Sequence, residues 1–460
     1  MSRKHFGTDG IRGVANKGLK PELAMALGRA AGRWLREQSG GVPRIVVGRD
    51  TRKSGPMLGM ALSAGFNSAG VDVVSLGVAP TPAVSFVART GEFGLGVIIS
   101  ASHNPFPDNG IKLVGHDGRK LPDEVEAEIE SFMETDEERP IGGSIGSLTQ
   151  DAGLLEDYLS FLEKIIPGGL KGISVAVDCA HGAAYDLGPE ILRRLGAEVF
   201  VVGDAPDGVN INELGGATKP ETIQELTKST GATLGVAFDG DADRAVFSDS
   251  RGRLINGDRT IGLWASHELK MGRLNPKAVV GTVMSNGGFE HFVASKGIHL
   301  ERTPVGDKYV SQKITALGAQ IGGEQSGHII FPKHGPTGDG LVTMLEVLRV
   351  IKESGRDAAT IYEDYESWPQ ILVNMEVADR STWNDGELVQ TALEQATKDL
   401  VGHGRINVRA SGTQPIVRVM VEADTYDLRD LVAASVVGAI TKEAGGKIYS
   451  RVDLTHALGD

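Results

Sequence analysis

Cysteine is almost absent: Cys179 is the only one in 460 residues. A lone thiol cannot form an internal disulfide, which excludes a disulfide-built secreted scaffold and fits a reducing compartment such as the cytosol. Long apolar runs are also missing. The uncharged stretch Val73 to Ala88 is interrupted by Pro80 and Pro82 and falls short of the roughly 18 residues a membrane span needs. The opening Met1-Ser-Arg-Lys-His5 leads into the polar Gly7 to Gly10 rather than an apolar segment, so no secretion signal is expected. Positive charge is in deficit, with 47 Lys and Arg against 60 Asp and Glu and a formal net charge of -13. Nonspecific capture of nucleic acid or anionic membrane is therefore not expected, and any anionic ligand needs a local basic pocket. Neither G-x-G-x-x-G nor a complete Walker A motif occurs: Gly446-Lys447 is followed by Ile448 rather than Ser or Thr. Nucleotide binding is unsupported.

Glycine, by contrast, is abundant. The 62 glycines are about twice the typical share of roughly 7%, which implies many tight loops where backbone approaches ligand or backbone. Hydrophobic residues at 40% and charged residues at 23% describe a soluble chain with ordinary cores. At roughly 150 residues per domain the length suggests about three domains, and the pattern along the chain raises the count to four. Val- and Ile-rich runs such as Arg44 to Gly48, Val71 to Ser75 and Gly94 to Ser100 alternate with helical stretches, the rhythm of α/β units. Acidic and then Gly/Ser-rich sequence from Glu134 to Gly153 breaks the rhythm and sets a boundary. The expected domains are 1–153, 154–250 and 251–365, each α/β, and a smaller α+β domain over 366–460.

Three of these units carry a polar, glycine-containing loop after an apolar strand, the place where open α/β sheets bind ligands. Asp239-Gly-Asp241-Ala-Asp243-Arg244 places carboxylates at i, i+2 and i+4, which in an extended segment point to one side and repel unless a cation sits among them. Hard oxygen ligands with open positions suit Mg²⁺. An EF-hand is excluded, because position 6 is Arg244 and position 12 is Ser250. A solvated acidic turn is the alternative. Ser100-Ala-Ser102-His103-Asn104-Pro105 offers a strand-end serine beside a histidine, either a nucleophile or a turn that satisfies its own backbone. Gly142-Gly-Ser144-Ile-Gly146 has the spacing of a nucleophile elbow but no strand before it, and counts as chance. Lys112 could transfer protons or hold an anion, or could be a solvated strand lysine. Arg409-Ala-Ser411-Gly412-Thr413 combines a guanidinium, hydroxyls and glycine-freed amides suited to a phosphate dianion. Arg418 either adds charge from the next strand or forms a surface ion pair. Gly322 to His328, with Glu324, Ser326 and His328, suits sugar hydroxyls or makes a tight turn. Arg12 could meet a phosphate, while Arg49 and Asp50 are expected to form a structural ion pair.

Together, Phe6 to Gly13, Ser100 to Pro105, Asp239 to Arg244, Thr303 to Lys308, Gly323 to His328 and the Arg409 loop resemble the α-D-phosphohexomutase superfamily over the whole chain. The resemblance implies four domains around a central cleft, three related α/β domains with mixed sheets and a smaller α+β C-terminal domain. It implies a phosphoserine at Ser102, one Mg²⁺ per subunit on Asp239, Asp241, Asp243 and the Ser102 phosphoryl oxygen, and support for that phosphate from Arg244 and His103. Lys112 matches the general acid/base position and Arg12 faces the reacting centre. Glu324 and Ser326, with His328 a weaker match, would grip sugar hydroxyls; Arg409, Ser411, Gly412, Thr413 and Arg418 would bind the phosphate that stays in place. A sugar 1,6-bisphosphate or a kinase is then needed to phosphorylate Ser102. Gln325 and Asp307 place the chain with the glucosamine-using members, so the implied reaction interconverts glucosamine 6- and 1-phosphates on the way to UDP-N-acetylglucosamine and cell-wall precursors. Glucose or mannose phosphates, and hydrolysis by a Mg²⁺-dependent phosphatase, are the competing readings. Gln414 departs from the family, which usually has Glu there. A homodimer would be ordinary for the family.

Overall fold

The structure is a computed structural model that describes residues 4–7, 9–38, 43–135, 138–361, 365–379, 381–411 and 416–455. Gly412, Thr413 and Gln414 lie outside the described residues.

Four sheets succeed one another along the chain. The first has six strands, between Ile11–Val14 and Leu148–Gln150, and is mixed: Arg44–Arg49 runs parallel to both Asp72–Val78 and Leu95–Ile99, whereas Asp108–Gly115 is antiparallel to Leu95–Ile99. The second, five-stranded sheet has Ser174–Asp178 and Leu234–Phe238 in parallel at its centre and Ala245–Asp249 returning antiparallel. Its last strand, Leu254–Ile255, lies beyond the boundary expected at residue 250. The third, four-stranded sheet is also mixed, with Ala278–Thr282 parallel to His299–Thr303 and Gly322–Gly323 antiparallel to Ile329–Ile330. The fourth is wholly antiparallel, built on Gln370–Glu376, Gly404–Ala410, Ile416–Ala423 and Lys447–Asp453. Three mixed α/β units and an antiparallel α+β unit are thus as expected.

Burial explains the layering. Leu95–Ile99 and Leu234–Phe238 are buried at every position, so both faces carry apolar side chains under covering helices. Each fully buried Val, Leu or Ile there contributes roughly 1.5–3 kcal/mol. The helix Pro21–Gln38, not among the expected elements, opens with Pro21 and Glu22 in its first turn, ends with Arg36 in its last, and buries Ala24, Leu27, Ala31 and Leu35 on one face. Gly340–Ser354 is capped by Asp339, whose Oδ1 accepts from the Val342 amide at 3.0 Å. The central strands of the first two units end together, and the polar loops they release meet there.

Candidate active site

Ser102 emerges two residues after Ser100, at the end of Leu95–Ile99, with φ of 51°. This left-handed backbone costs a serine roughly 1–2 kcal/mol, so its surroundings must enforce it. Ser100 Oγ donates to Asp50 Oδ2 at 2.6 Å and accepts from the Ser102 amide at 2.9 Å. Asp50 pairs with Arg52, Nε to Oδ2 at 2.8 Å, and both side chains are fully buried. This corrects the ion pair expected between Arg49 and Asp50: Arg49 Nη1 donates to the Asp50 backbone carbonyl, because Arg52 turns back into the loop and takes the carboxylate. Burial pushes the Asp50 carboxyl up even beside Arg52. So held, Ser102 Oγ lies 2.6 Å from Asp239 Oδ2 and 3.3 Å from His103 Nδ1.

The acidic loop follows Leu234–Phe238 and is a turn rather than the extended segment expected, with Ala242 at φ of 57°. The turn does what alternation along a strand was expected to do: ligand oxygens of Asp239, Asp241 and Asp243 all lie within 4.8 Å of one another, and all three residues are buried. Asp241 Oδ2 accepts from Thr81 Oγ1 at 2.6 Å, whereas Asp241 Oδ1 and Asp243 Oδ1 are buried without a hydrogen-bond partner. Burial and the neighbouring Asp243 and Asp241 charges push the Asp239 carboxyl well up. For Asp243, burial is outweighed by His328, Lys112 and Arg244, which hold its carboxyl far below the usual range. Buried, converging carboxylates, two of whose oxygens have no hydrogen-bond partner, are the donor set of a hard divalent cation, so these residues fit a metal ion. Gly240 permits the approach of the two loops, because a Cβ there would stand 2.5 Å from the Ser102 carbonyl oxygen.

Lys112 lies on Asp108–Gly115, opposite Ile98. Its Nζ is 2.9 Å from Asp9 Oδ2 and 3.9 Å from both Asp241 Oδ2 and Asp243 Oδ2. Burial opposes its charge, but Asp9, Asp241 and Asp243 overcome burial and raise its pKa. Arg12 also pairs with Asp9, so Asp9 joins two of the expected site residues. Asp9 was not singled out in the sequence, although it lies inside the quoted Phe6 to Gly13 motif.

Beyond the serine, a cleft cavity of about 440 Å³ is lined by His103 and Arg244, by Glu324 and Ser326, and by Arg409 and Arg418 from the last sheet. The Gly322 to His328 loop is fastened to the acidic loop by a backbone bridge between Arg244 and His328, and the Ala245 amide donates to the Gly327 carbonyl at 3.1 Å. Glu324 Oε1 accepts from the Gly306 amide at 2.9 Å. Arg409 and Arg418 are cross-strand partners, and the Ser411 amide, just past its strand, donates to the Ile416 carbonyl at 2.7 Å. His328 stands apart from this wall, with Nδ1 3.6 Å from Asp243 Oδ1. Burial is offset there by the Asp243 charge, which pushes the imidazole up to about 9. Lys112, Asp9 and Asp243 line a second cavity of about 340 Å³ together with Lys308 and Ser311. Thr81, Arg52 and Asn212 also support the centre and carried no signal of that role in the sequence. Each acts on a residue more than 45 positions away in the chain.

A strand-end serine touching a buried carboxylate trio, with basic and polar loops from two further units across the cleft, defines a four-domain phosphosugar-handling enzyme. Phosphoglucomutase/phosphomannomutase alpha/beta/alpha domains I, II and III match residues 3–140, 156–252 and 256–368, and the C-terminal domain of the same family matches 372–439. The chain belongs to this family, the α-D-phosphohexomutases, and is an isomerase of the mutase type. Among curated relatives it is 47% identical to phosphoglucosamine mutases of Desulforamulus reducens and Symbiobacterium thermophilum. The matches cover 95% of this chain and 100% and 99% of theirs. Among solved structures it resembles a phosphoglucomutase/phosphomannomutase family protein of Burkholderia thailandensis, with TM-score 0.78 and 26% identity over 96% of this chain and 98% of that one. It shares the fold, at TM-score 0.63 and 20% identity over 96% of both chains, with an Aspergillus fumigatus N-acetylphosphoglucosamine mutase in complex with GlcNAc-6P and magnesium.

Proposed function

We propose that the chain interconverts glucosamine 6-phosphate and glucosamine 1-phosphate through a phosphoserine at Ser102 and a bisphosphorylated sugar. The observation that carries this is Ser102 Oγ at 2.6 Å from Asp239, inside a carboxylate trio in which Asp241 Oδ1 and Asp243 Oδ1 have no hydrogen-bond partner. The choice of glucosamine is supported by relatives named phosphoglucosamine mutase at 43–47% identity over nearly the full chain.

The Ser102 Oγ–P bond breaks as a P–O bond forms to the free sugar hydroxyl, and the hydroxyl proton ends on Ser102 Oγ. His103, 3.3 Å from Oγ, and Lys112, whose ammonium Asp9 holds at 2.9 Å, are the proton-carrying groups placed for this transfer. Asp239, Asp241 and Asp243, with an oxygen on Ser102, would hold Mg²⁺, whose charge stabilises the transferring phosphoryl group. Arg244 and Arg12 add positive charge. Glu324 and Ser326 orient the sugar hydroxyls from the cleft wall, and Arg409, Ser411 and Arg418 bind the phosphate that stays. Return of the other phosphate to Ser102 after the bisphosphate reorients completes the cycle, which a sugar 1,6-bisphosphate or a kinase must prime. His328 acts through Asp243 in this scheme. Among the described residues no helix is long and apolar enough to cross a membrane. We place the enzyme in the cytosol as a homodimer, supplying precursors of UDP-N-acetylglucosamine and the cell wall.

The test is an assay of Ser102-phosphorylated enzyme in Mg²⁺ with glucosamine, glucose and mannose 6-phosphates offered separately, following 1-phosphate and free phosphate. Preferred conversion of the glucosamine compound, lost in Ser102→Ala, is expected. Equal use of glucose or mannose overturns the substrate, and steady release of free phosphate overturns the mutase reaction.

A further inference from the structure

Ser102 keeps a left-handed backbone because its carbonyl is gripped from two directions. Arg52, wholly buried, uses all five of its N–H donors. Nε goes to Asp50 Oδ2 at 2.8 Å, Nη1 to the carbonyls of Pro105 at 2.5 Å and Asp108 at 3.1 Å, and Nη2 to those of Ser102 at 2.8 Å and Asn104 at 2.7 Å. Asn212 arrives from the loop between Glu198–Val202 and Glu221–Thr230 of the second unit. Its Nδ2 donates to the same two carbonyls, Ser102 at 2.9 Å and Asn104 at 3.2 Å. Two acceptors facing one amide group fix its orientation, since the side-chain oxygen there would meet two carbonyl oxygens.

Resting on the phosphoserine reading above, we propose that Arg52 and Asn212 are positioning residues that hold the carbonyls on either side of His103 and thereby set the direction of Ser102 Oγ towards Asp239. The grip spans two units of the chain. Arg52 sits with Ser102 in the first, and Asn212 extends from the second, which also carries the carboxylates. Asn212 is anchored there by its own amide, which donates to the Ala180 carbonyl at 2.9 Å, and Gly240 of the acidic turn packs against Asn212 Nδ2 and the Ser102 carbonyl. Serine loop and acidic turn are therefore held in one frame, with Oγ and Asp239 2.6 Å apart at its centre. In-line phosphoryl transfer depends steeply on such placement, and a displacement of about 1 Å can cost about 100-fold in rate. Both residues are buried, and neither lines the cleft cavity in which the substrate would sit. Loss of the grip should therefore lower kcat and leave KM nearly unchanged.

The experiment uses the full chain in Mg²⁺ with two substitutions. Asn212→Asp keeps the shape but turns an acceptor on both carbonyls. Asn212→Gly keeps the backbone at φ of 58° and removes the donor. kcat and KM for glucosamine 6-phosphate are measured beside the rate at which glucose 1,6-bisphosphate phosphorylates Ser102, read by intact mass. Expected are a kcat lowered about 10- to 100-fold, a KM within about threefold of wild type, and Ser102 phosphorylation slowed in step. A kcat within threefold of wild type, a change confined to KM, or a lower kcat with unchanged Ser102 phosphorylation overturns the assignment. If Asn212→Asp fails to fold, Asn212→Gly decides by the same criteria. A wild-type enzyme with no mutase turnover would instead overturn the phosphoserine reading.

Discussion

Arg409 and Arg418 stand directly opposite each other across the antiparallel strands Gly404–Ala410 and Ile416–Ala423, and both line the cleft. Like charges at facing positions repel, and Glu422 of the second strand pairs with Arg405. A phosphate between them would turn that repulsion into attraction. Arg418→Gln is expected to leave the ligand-free protein as stable as wild type or a few tenths of a kcal/mol more stable, and to raise KM about 10- to 100-fold, the loss of one charge-assisted contact. Thermal melts with and without substrate, beside steady-state kinetics, check both halves. An unchanged KM would remove Arg418 from the phosphate site.

Thr81 steers Asp241 from another unit through its 2.6 Å hydrogen bond to Oδ2. Partners that orient a metal ligand typically contribute 10- to 100-fold to metal affinity. Thr81→Val is expected to raise the Mg²⁺ concentration for half-maximal activity by about that factor while activity recovers at saturating metal. A metal titration reads this directly; no recovery at high Mg²⁺ would assign Thr81 another role.

Gly10, at φ of 78°, lets the Asp9 loop lie on the Lys112 strand, since a Cβ there would stand 2.5 Å from the Ile111 carbonyl oxygen and 3.1 Å from Lys112 Cγ. Gly10→Ala is expected to cost about 1–3 kcal/mol in urea unfolding and to lower kcat by loosening the Asp9–Lys112 pair. Wild-type stability and rate together would show that the loop has room to move aside.

Glu346, on the helix Gly340–Ser354, is buried and accepts from Trp264 Nε1 at 2.8 Å, His334 Nε2 at 2.6 Å and Arg349 Nη2 at 2.7 Å. Burial raises its pKa, but His334, Arg349 and Trp264 prevail and draw it down from 4.5 to about 2. The folded pKa lies below the unfolded one, so the stabilisation is complete above about pH 4.5 and is lost as pH falls towards 2. Its full size is about 3 kcal/mol. Glu346→Gln should therefore be less stable at pH 7, with the difference from wild type shrinking between pH 5 and pH 3 in denaturant titrations. A difference independent of pH would refute the linkage.

Much of this was legible in sequence order because it depends on local pattern. Leu234–Phe238 and Glu198–Val202 follow from short apolar runs, and Glu221–Thr230 from helical period after Pro220. The serine and the three aspartates stood out because their chemistry is concentrated in a few consecutive residues. Arg52 did not, since nothing in Gly48-Arg-Asp-Thr-Arg52 says which arginine turns inward to Asp50 and which reaches only a backbone carbonyl.

By itself, then, the sequence determined the four-unit α/β and α+β organisation through its repeated local pattern, and it marked the strand-end serine and the carboxylate trio, each within a single short segment. Only the tertiary structure decided that Asp9 joins Arg12 to Lys112, that Thr81 holds Asp241, that Arg52 and Asn212 share the Ser102 carbonyl, and that His328 turns to Asp243. Half of these contacts cross between units that the sequence orders but does not orient. A buried donor finds its acceptor through the packing of whole sheets and helices, and no local periodicity records that choice.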